Sequence, residues 1–198
     1  MSAPEQLILA SKSASRRAML DGVALDYQAM PADLDERAIA QKYTGNPRKM
    51  AIELARQKAL AVAGNNPDAL VIGSDSLVEL DGKVYNKADT PEEAVNKILS
   101  LSGKTHHLIS AVAVARGGII LWDYCDSAAM TMRTFDRDFA QNYIQKIGAA
   151  AMDCVGAYQL EALGPWLFEK IEGDYFTILG MPLVQLLGYL QDYHGVKL

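Results

Sequence analysis

Two long strand-like runs, His107 to Arg116 and Ile119 to Arg133, meet at Gly117-Gly118. Paired glycines supply the positive φ angles of a two-residue hairpin, so the runs predict an antiparallel pair. That pair excludes a purely parallel, doubly wound sheet. Elsewhere strand and helix signals interleave. Gln6 to Ala10 and Ala69 to Ile72 read as short buried strands, Leu77 to Leu80 as an extension of the second, and Tyr27 to Met30 and Trp166 to Ile171 as further strands. In Pro47 to Ala63 the residues Ile52, Ala55, Ala59 and Val62 recur at helical spacing, and Gly64-Asn65-Asn66-Pro67 stops the helix. Thr90-Pro91-Glu92-Glu93 forms a capping box for a helix ending near Gly103. Asp136 to Ile147, Pro182 to Tyr193 and the segment around Arg16 to Leu20 complete the helices. The expectation is an α/β protein with a mixed sheet flanked by helices.

Half of the 198 residues are apolar, enough for a substantial core, and no Pro-, Gly- or Ser-rich linker divides residues 1–198, which read as a single domain. A net charge of −5 argues against a nucleic-acid partner, since phosphate-backbone affinity needs a Lys/Arg surplus. The apolar stretch Thr177 to Leu190 is shorter than the roughly 20 residues of a membrane span. No basic residue precedes the first apolar run, as a secretory leader would require. Cys125 and Cys154 lack CxxC spacing and read as buried thiols. A cytoplasmic location is expected.

Three sets of residues can carry chemistry, two of them where a strand signal gives way to polar residues. Ligands of open α/β sheets bind beyond strand ends, and a helix start offers free N–H groups to phosphate. Ser11-Lys12-Ser13-Ala14-Ser15-Arg16-Arg17 offers hydroxyls and a guanidinium fork, or else is an ordinary serine cap with solvated arginines. Asp75, in Gly73-Ser74-Asp75-Ser76, is a carboxylate closing a buried strand; it binds a metal, accepts a proton, or simply caps a turn. Glu36, Lys58 and Lys87 are scattered, and each alone reads as a surface charge, yet a triphosphate–metal site needs such cations and carboxylates. His106 and His107 point to opposite faces of any strand and read as structural. There is no GxxxxGK[ST], GxGxxG or GxSxG.

Taken in order, these segments resemble the Maf family of nucleotide pyrophosphatases, relatives in fold of inosine triphosphate pyrophosphatase. The resemblance runs through Leu9-Ala10-Ser11-Lys12-Ser13 with Arg16, Asp35-Glu36, Ala55 with Lys58-Ala59, Gly73-Ser74-Asp75, Lys87, and Leu101-Ser102-Gly103. It continues through Ala157-Tyr158-Gln159-Leu160-Glu161, Ile171-Glu172-Gly173-Asp174-Tyr175 and Gly180-Met181-Pro182-Leu183.

The resemblance implies an elongated mixed sheet in two lobes around a central cleft, a homodimer, a divalent cation (Mg or Mn), and hydrolysis of nucleoside triphosphates to the monophosphate and pyrophosphate. Carried over by position, Asp75 activates the water, Glu36 and Asp75 hold the metal, and Ser11, Ser13, Arg16, Lys58 and Lys87 bind the triphosphate. Ala14 stands where the family usually has proline, Ser15 where many members carry arginine, Ser76 where threonine or glutamine is usual, and Ala162 where glycine is. Ser15 and Ser76 occupy positions associated with base selection. Glu161 stands where the thymidine- and uridine-preferring members carry glutamine. A carboxylate only accepts hydrogen bonds, which suits the adjacent N1–H and 2-amino donors of guanine and the positive charge of a 7-methylguanine. The expected substrates are therefore 7-methyl-GTP or a broad range of triphosphates, and the expected role is housecleaning of modified nucleotides. A competing reading is a non-catalytic nucleotide-binding regulator of septation, which metal-dependent pyrophosphate release separates from an enzyme.

Overall fold

The computed structural model describes residues 6–43 and 45–196. In chain order the elements are β1 (Leu7–Leu9), α1 (Ala14–Gly22), β2 (Gln28–Ala29), α2 (Glu36–Gln41), α3 (Pro47–Ala63), β3 (Leu70–Leu80), β4 (Lys83–Tyr85), α4 (Pro91–Leu101), β5 (Thr105–Arg116), β6 (Ile119–Met132), α5 (Arg137–Ile147), α6 (Ala150–Asp153), β7 (Phe168–Glu172), α7 (Tyr175–Leu179) and α8 (Leu183–His194). The described strands form a seven-stranded mixed sheet in the order β2-β1-β3-β5-β6-β7, with β4 paired to β3. The chain divides into two compact units, one of residues up to Ser76 with Ser110–Asp126 and Gly180 onward, the other of Leu77–Ile109 and Ser127–Leu179.

In the first unit β1 runs parallel to both β2 and β3, with Ile8 opposite Gln28 and Val71. Leu70, Val71 and Ile72 are fully buried, as a near-continuous apolar run in a covered strand should be. Asn46 caps α3 by accepting from the Lys49 N–H, and Pro47 takes the first helical position, where its missing N–H costs nothing. Helix α3 buries Leu54, Ala55, Ala59 and Val62, and α8 buries Leu183, Leu186 and Leu190.

The second unit is built on an apolar cluster that includes Val78, Ile98, Leu101, Met130, Met132, Tyr143 and Leu167. Thr90 caps α4 by accepting from the Glu93 N–H, while the Glu93 carboxylate accepts from the N–H of Asp89. The capping box therefore reaches one residue further back than the usual pattern. β7 lies antiparallel to β6, with an irregularity at Thr131/Met132. His106 is fully buried, its Nε2 2.8 Å from the Tyr158 hydroxyl, and takes the structural place its sequence context suggested.

Several elements differ from the sequence reading. β3 is one strand of 11 residues, so Asp75 lies in its middle and does not close it. The polar residues there do not break the ladder because their side chains find partners: Ser74 donates its one hydroxyl hydrogen to the Ala111 carbonyl at 2.8 Å and Asp75 accepts from Lys58. The acidic segment around Asp33 to Glu36 is the entrance to α2, with Asp35 as N-cap accepting from the Ala38 N–H. Asp81-Gly82 turns the chain with φ of 52° and 79°, the two positive angles of a type I′ hairpin, and a short antiparallel β4 follows it. Trp166 belongs to a 3-10 turn (Gly164–Leu167), so the late strand starts at Phe168. Helices α6 and α7, four and five residues long, are too short to show a period.

Candidate active site

Asp75 lies within β3, at the boundary of the first unit. Residues i and i+2 of a strand share a face, so Gly73 and Asp75 point the same way. At Gly73 the backbone of α3 comes so close that a Cβ would sit 2.2 Å from the Ala55 carbonyl oxygen and 2.6 Å from the Ala59 nitrogen. Only glycine permits this approach. It brings Lys58, which immediately precedes Ala59, onto Asp75 with Nζ 2.7 Å from Oδ1. The same Nζ lies 3.0 Å from Oε1 of Glu36, the first residue of α2. Asp75 is 6% exposed and Lys58 8%, whereas Glu36 is exposed. One ammonium thus gathers two carboxylates from separate elements.

Burial raises the Asp75 carboxyl above its ordinary range, and this outweighs the opposing pull of Lys58 and then Arg16. A carboxylate tuned upward accepts a proton more readily than an exposed one. Burial likewise draws the Arg16 guanidinium below its usual value, countered by the charges of Asp75 and Glu36.

On the other face of β3, Ser74 and Ser76 meet the start of α1 and the turn at Gly180. Ser13 caps α1 by accepting from the Arg16 N–H, and the Ser13 N–H donates to Ser11 Oγ at 3.2 Å. Arg16, in the first turn, is 9% exposed and donates from Nη2 to Ser76 Oγ at 2.8 Å, from Nε to the Gly180 carbonyl at 2.9 Å and from Nη1 to Ser11 Oγ at 3.3 Å. Ser15 is half-buried beside it, and Arg17 is exposed.

The structure therefore brings Lys58, Asp75 and Glu36 together, and separately Arg16, Ser11 and Ser76. Lys87 and Glu161 belong to the second unit, both exposed and both within electrostatic reach of Cys154. The Cys154 thiol is pushed up to about 11, first by burial, then by the negative charge of Glu161, with Lys87 opposing. Ser74, Ser110 and Gly180 join the hydroxyl cluster although sequence reading gave them no role in the site. Gly180, within the Gly-Met-Pro segment, carried the only available signal: glycine before a helix-starting proline marks a turn needing positive φ, here 112°.

The site thus holds a buried carboxylate on a sheet strand paired to a helical lysine, and a guanidinium held at a serine-capped helix start, in an α/β protein. The family model for Maf-like protein matches residues 6–193, and the chain belongs to this family. It is 44% identical over 190 residues to a 7-methyl-GTP pyrophosphatase of Rhizobium etli, covering 94% of this chain and 96% of that protein. It is 46% identical to a 7-methyl-GTP pyrophosphatase of Mesorhizobium japonicum, covering 97% and 98%. It is 40% identical to a nucleoside triphosphate pyrophosphatase of Granulibacter bethesdensis, covering 96% and 98%. Among solved structures, a HAM1 protein from Coxiella burnetii aligns with a TM-score of 0.46 at 16% identity, over 65% of this chain and 73% of that one. No described helix is long and apolar enough to cross a membrane.

Proposed function

We propose that this chain hydrolyses nucleoside triphosphates at the α–β phosphoanhydride, releasing the monophosphate and pyrophosphate, with 7-methyl-GTP or related modified guanine nucleotides as preferred substrates. The observation that carries the reading is the buried Asp75 held between Lys58 and, through that lysine, Glu36. Relatives at 40–46% identity bear pyrophosphatase names, which supports the same reaction.

Asp75 takes the proton of the attacking water, its basicity maintained by burial. Lys58 holds that carboxylate in place and supplies positive charge beside the reacting phosphate. Ser11, Ser13 and Arg16 receive phosphate oxygens at the start of α1, where N–H groups and the helix dipole favour anions. For Lys87 the support is the family resemblance alone, which gives it to the triphosphate. The same resemblance associates Ser15 and Glu161 with base selection, and the acceptor-only carboxylate of Glu161 suits the donor edge of guanine.

The donor set fits a Mg or Mn ion only in part. Among the described residues no group of three or more His, Cys, Asp or Glu side chains could hold a metal. Asp75 and Glu36 nevertheless converge on one cationic atom, and Mg commonly takes one or two carboxylates with substrate phosphates and water supplying the rest. Asp75 and Glu36 would hold the ion, which when bound supplies charge to the phosphates and lowers the pKa of a bound water.

The test is pyrophosphate release from 7-methyl-GTP, GTP, UTP, TTP and CTP with Mg or Mn, run beside Asp75→Asn. Loss of the proton acceptor should cost about 10²–10⁴ in rate with the fold intact. Orthophosphate as the product, or an Asp75→Asn protein with wild-type turnover, rules the reading out. A preference for UTP or TTP would keep the reaction and remove the role given to Glu161.

A further inference from the structure

The hydroxyl of Ser76 has one hydrogen and two lone pairs. The hydrogen goes to the Gly180 carbonyl at 3.0 Å. The lone pairs receive Arg16 Nη2 at 2.8 Å and Ser110 Oγ at 3.2 Å. All three positions are filled, so nothing remains with which this side chain could recognise a base.

The partners show what the hydroxyl does. Arg16 carries five N–H donors, and three of them go to Gly180, Ser76 and Ser11. Among the described residues, one N–H is left on each terminal nitrogen. Ser11 Oγ also accepts the Ser13 N–H, so the guanidinium is fastened to the entrance of α1. The Gly180 carbonyl takes two donors, Arg16 Nε and the Ser76 hydroxyl, because the single hydrogen of Ser74 goes to the nearer Ala111 carbonyl at 2.8 Å. A Cβ at Gly180 would stand 3.0 Å from Ser76 Oγ, and its φ of 112° disfavours any other residue. Among the described residues, Ser76 is the one side chain bonded to both the guanidinium and the turn that precedes α8.

We infer that Ser76 is a positioning residue, which together with the Gly180 carbonyl aims the two remaining N–H groups of Arg16 at phosphate, and that it does not select the base. The inference rests on the reading of Arg16 as a phosphate ligand. A base-reading residue and a phosphate-positioning one differ in their effect on a ligand that has no base.

The experiment measures binding of inorganic tripolyphosphate by calorimetry, with kcat and KM for GTP, 7-methyl-GTP and UTP, in the wild type, Ser76→Ala and Ser76→Thr. Thermal unfolding checks that each variant is folded. Ser76→Ala should weaken tripolyphosphate binding about tenfold, the size expected for a hydrogen bond to a charged group, and lower kcat/KM by one common factor for all three nucleotides. Ser76→Thr, which keeps the hydroxyl, should recover most of both. Unchanged tripolyphosphate binding with a shifted GTP-to-UTP ratio overturns the inference, as does a threonine variant no better than alanine. A wild type that binds no tripolyphosphate overturns it too. A wild type that binds tripolyphosphate but releases no pyrophosphate defeats only the proposed reaction, and the binding data still decide the role of Ser76.

Discussion

Replacing His106 by glutamine should flatten the pH dependence of stability. His106 is fully buried, packs against Tyr158 and Phe168 with ring centroids 5.7 and 6.0 Å away, and has no hydrogen-bond partner at Nδ1 among the described residues. Burial, and secondarily the neighbouring His107, lowers its pKa from 6.5 to about 4. The folded imidazole therefore stays neutral where the unfolded one becomes protonated. Between the two values the unfolded state binds more protons, so stability falls as pH falls through that window. With folded and unfolded values of about 4 and 6.5, the linkage relation gives a loss of about 2 kcal/mol on going from pH 7.5 to 5. Below the folded value the loss levels off near 3 kcal/mol. In a protein of this size 2 kcal/mol corresponds to about 4–8 °C in Tm. Glutamine keeps an amide for the Tyr158 hydroxyl and does not titrate. The assay is urea unfolding followed by circular dichroism at pH 7.5, 6, 5.5 and 5. Carboxylates common to both proteins cancel in the difference, which should shrink by about 2 kcal/mol toward pH 5. Parallel curves for the two proteins across this range would refute the reasoning.

Gly73→Ala should cost about 3 kcal/mol or more and depress turnover, because the added Cβ meets backbone that cannot rotate away; wild-type stability in chemical unfolding would show that α3 does not press on β3 there. Lys58→Met leaves Asp75 buried without its cation, a loss of about 3–5 kcal/mol at pH 8 that should lessen at pH 5 as the carboxyl protonates. Equal losses at both pH values would contradict the pairing. Asp123→Asn removes the partner of Arg56, whose Nε and Nη2 both reach Oδ2, but this pair is partly exposed and its loss should cost less than about 1 kcal/mol in the same assay.

Local rules acting over a few residues were sufficient for much of this protein. The glycine pair at 117–118, the helical spacing in 47–63, the cap at Thr90 and the apolar run at 70–72 each determine their element through dihedral preference, periodicity, capping or burial, and the structure has those elements. The family pattern likewise singled out Asp75, Lys58, Glu36 and Arg16 before any contact was visible. Three-dimensional proximity was not available at that level. No spacing along the chain indicates that Lys58 reaches both Asp75 and Glu36, since the contact depends on helix and strand backbones meeting at a residue without a side chain. By sequence Asp75 reads as closing a strand, because a carboxylate in a buried strand is unfavourable alone; only the folded chain supplies the lysine that makes it tolerable. The same holds for Ser76, whose place in the family pattern is associated with base selection, but whose hydroxyl is fully occupied by partners 34, 60 and 104 residues away. Propensity and capping act locally, whereas hydrogen-bond saturation and charge compensation depend on groups that only the tertiary fold brings within about 3 Å of each other.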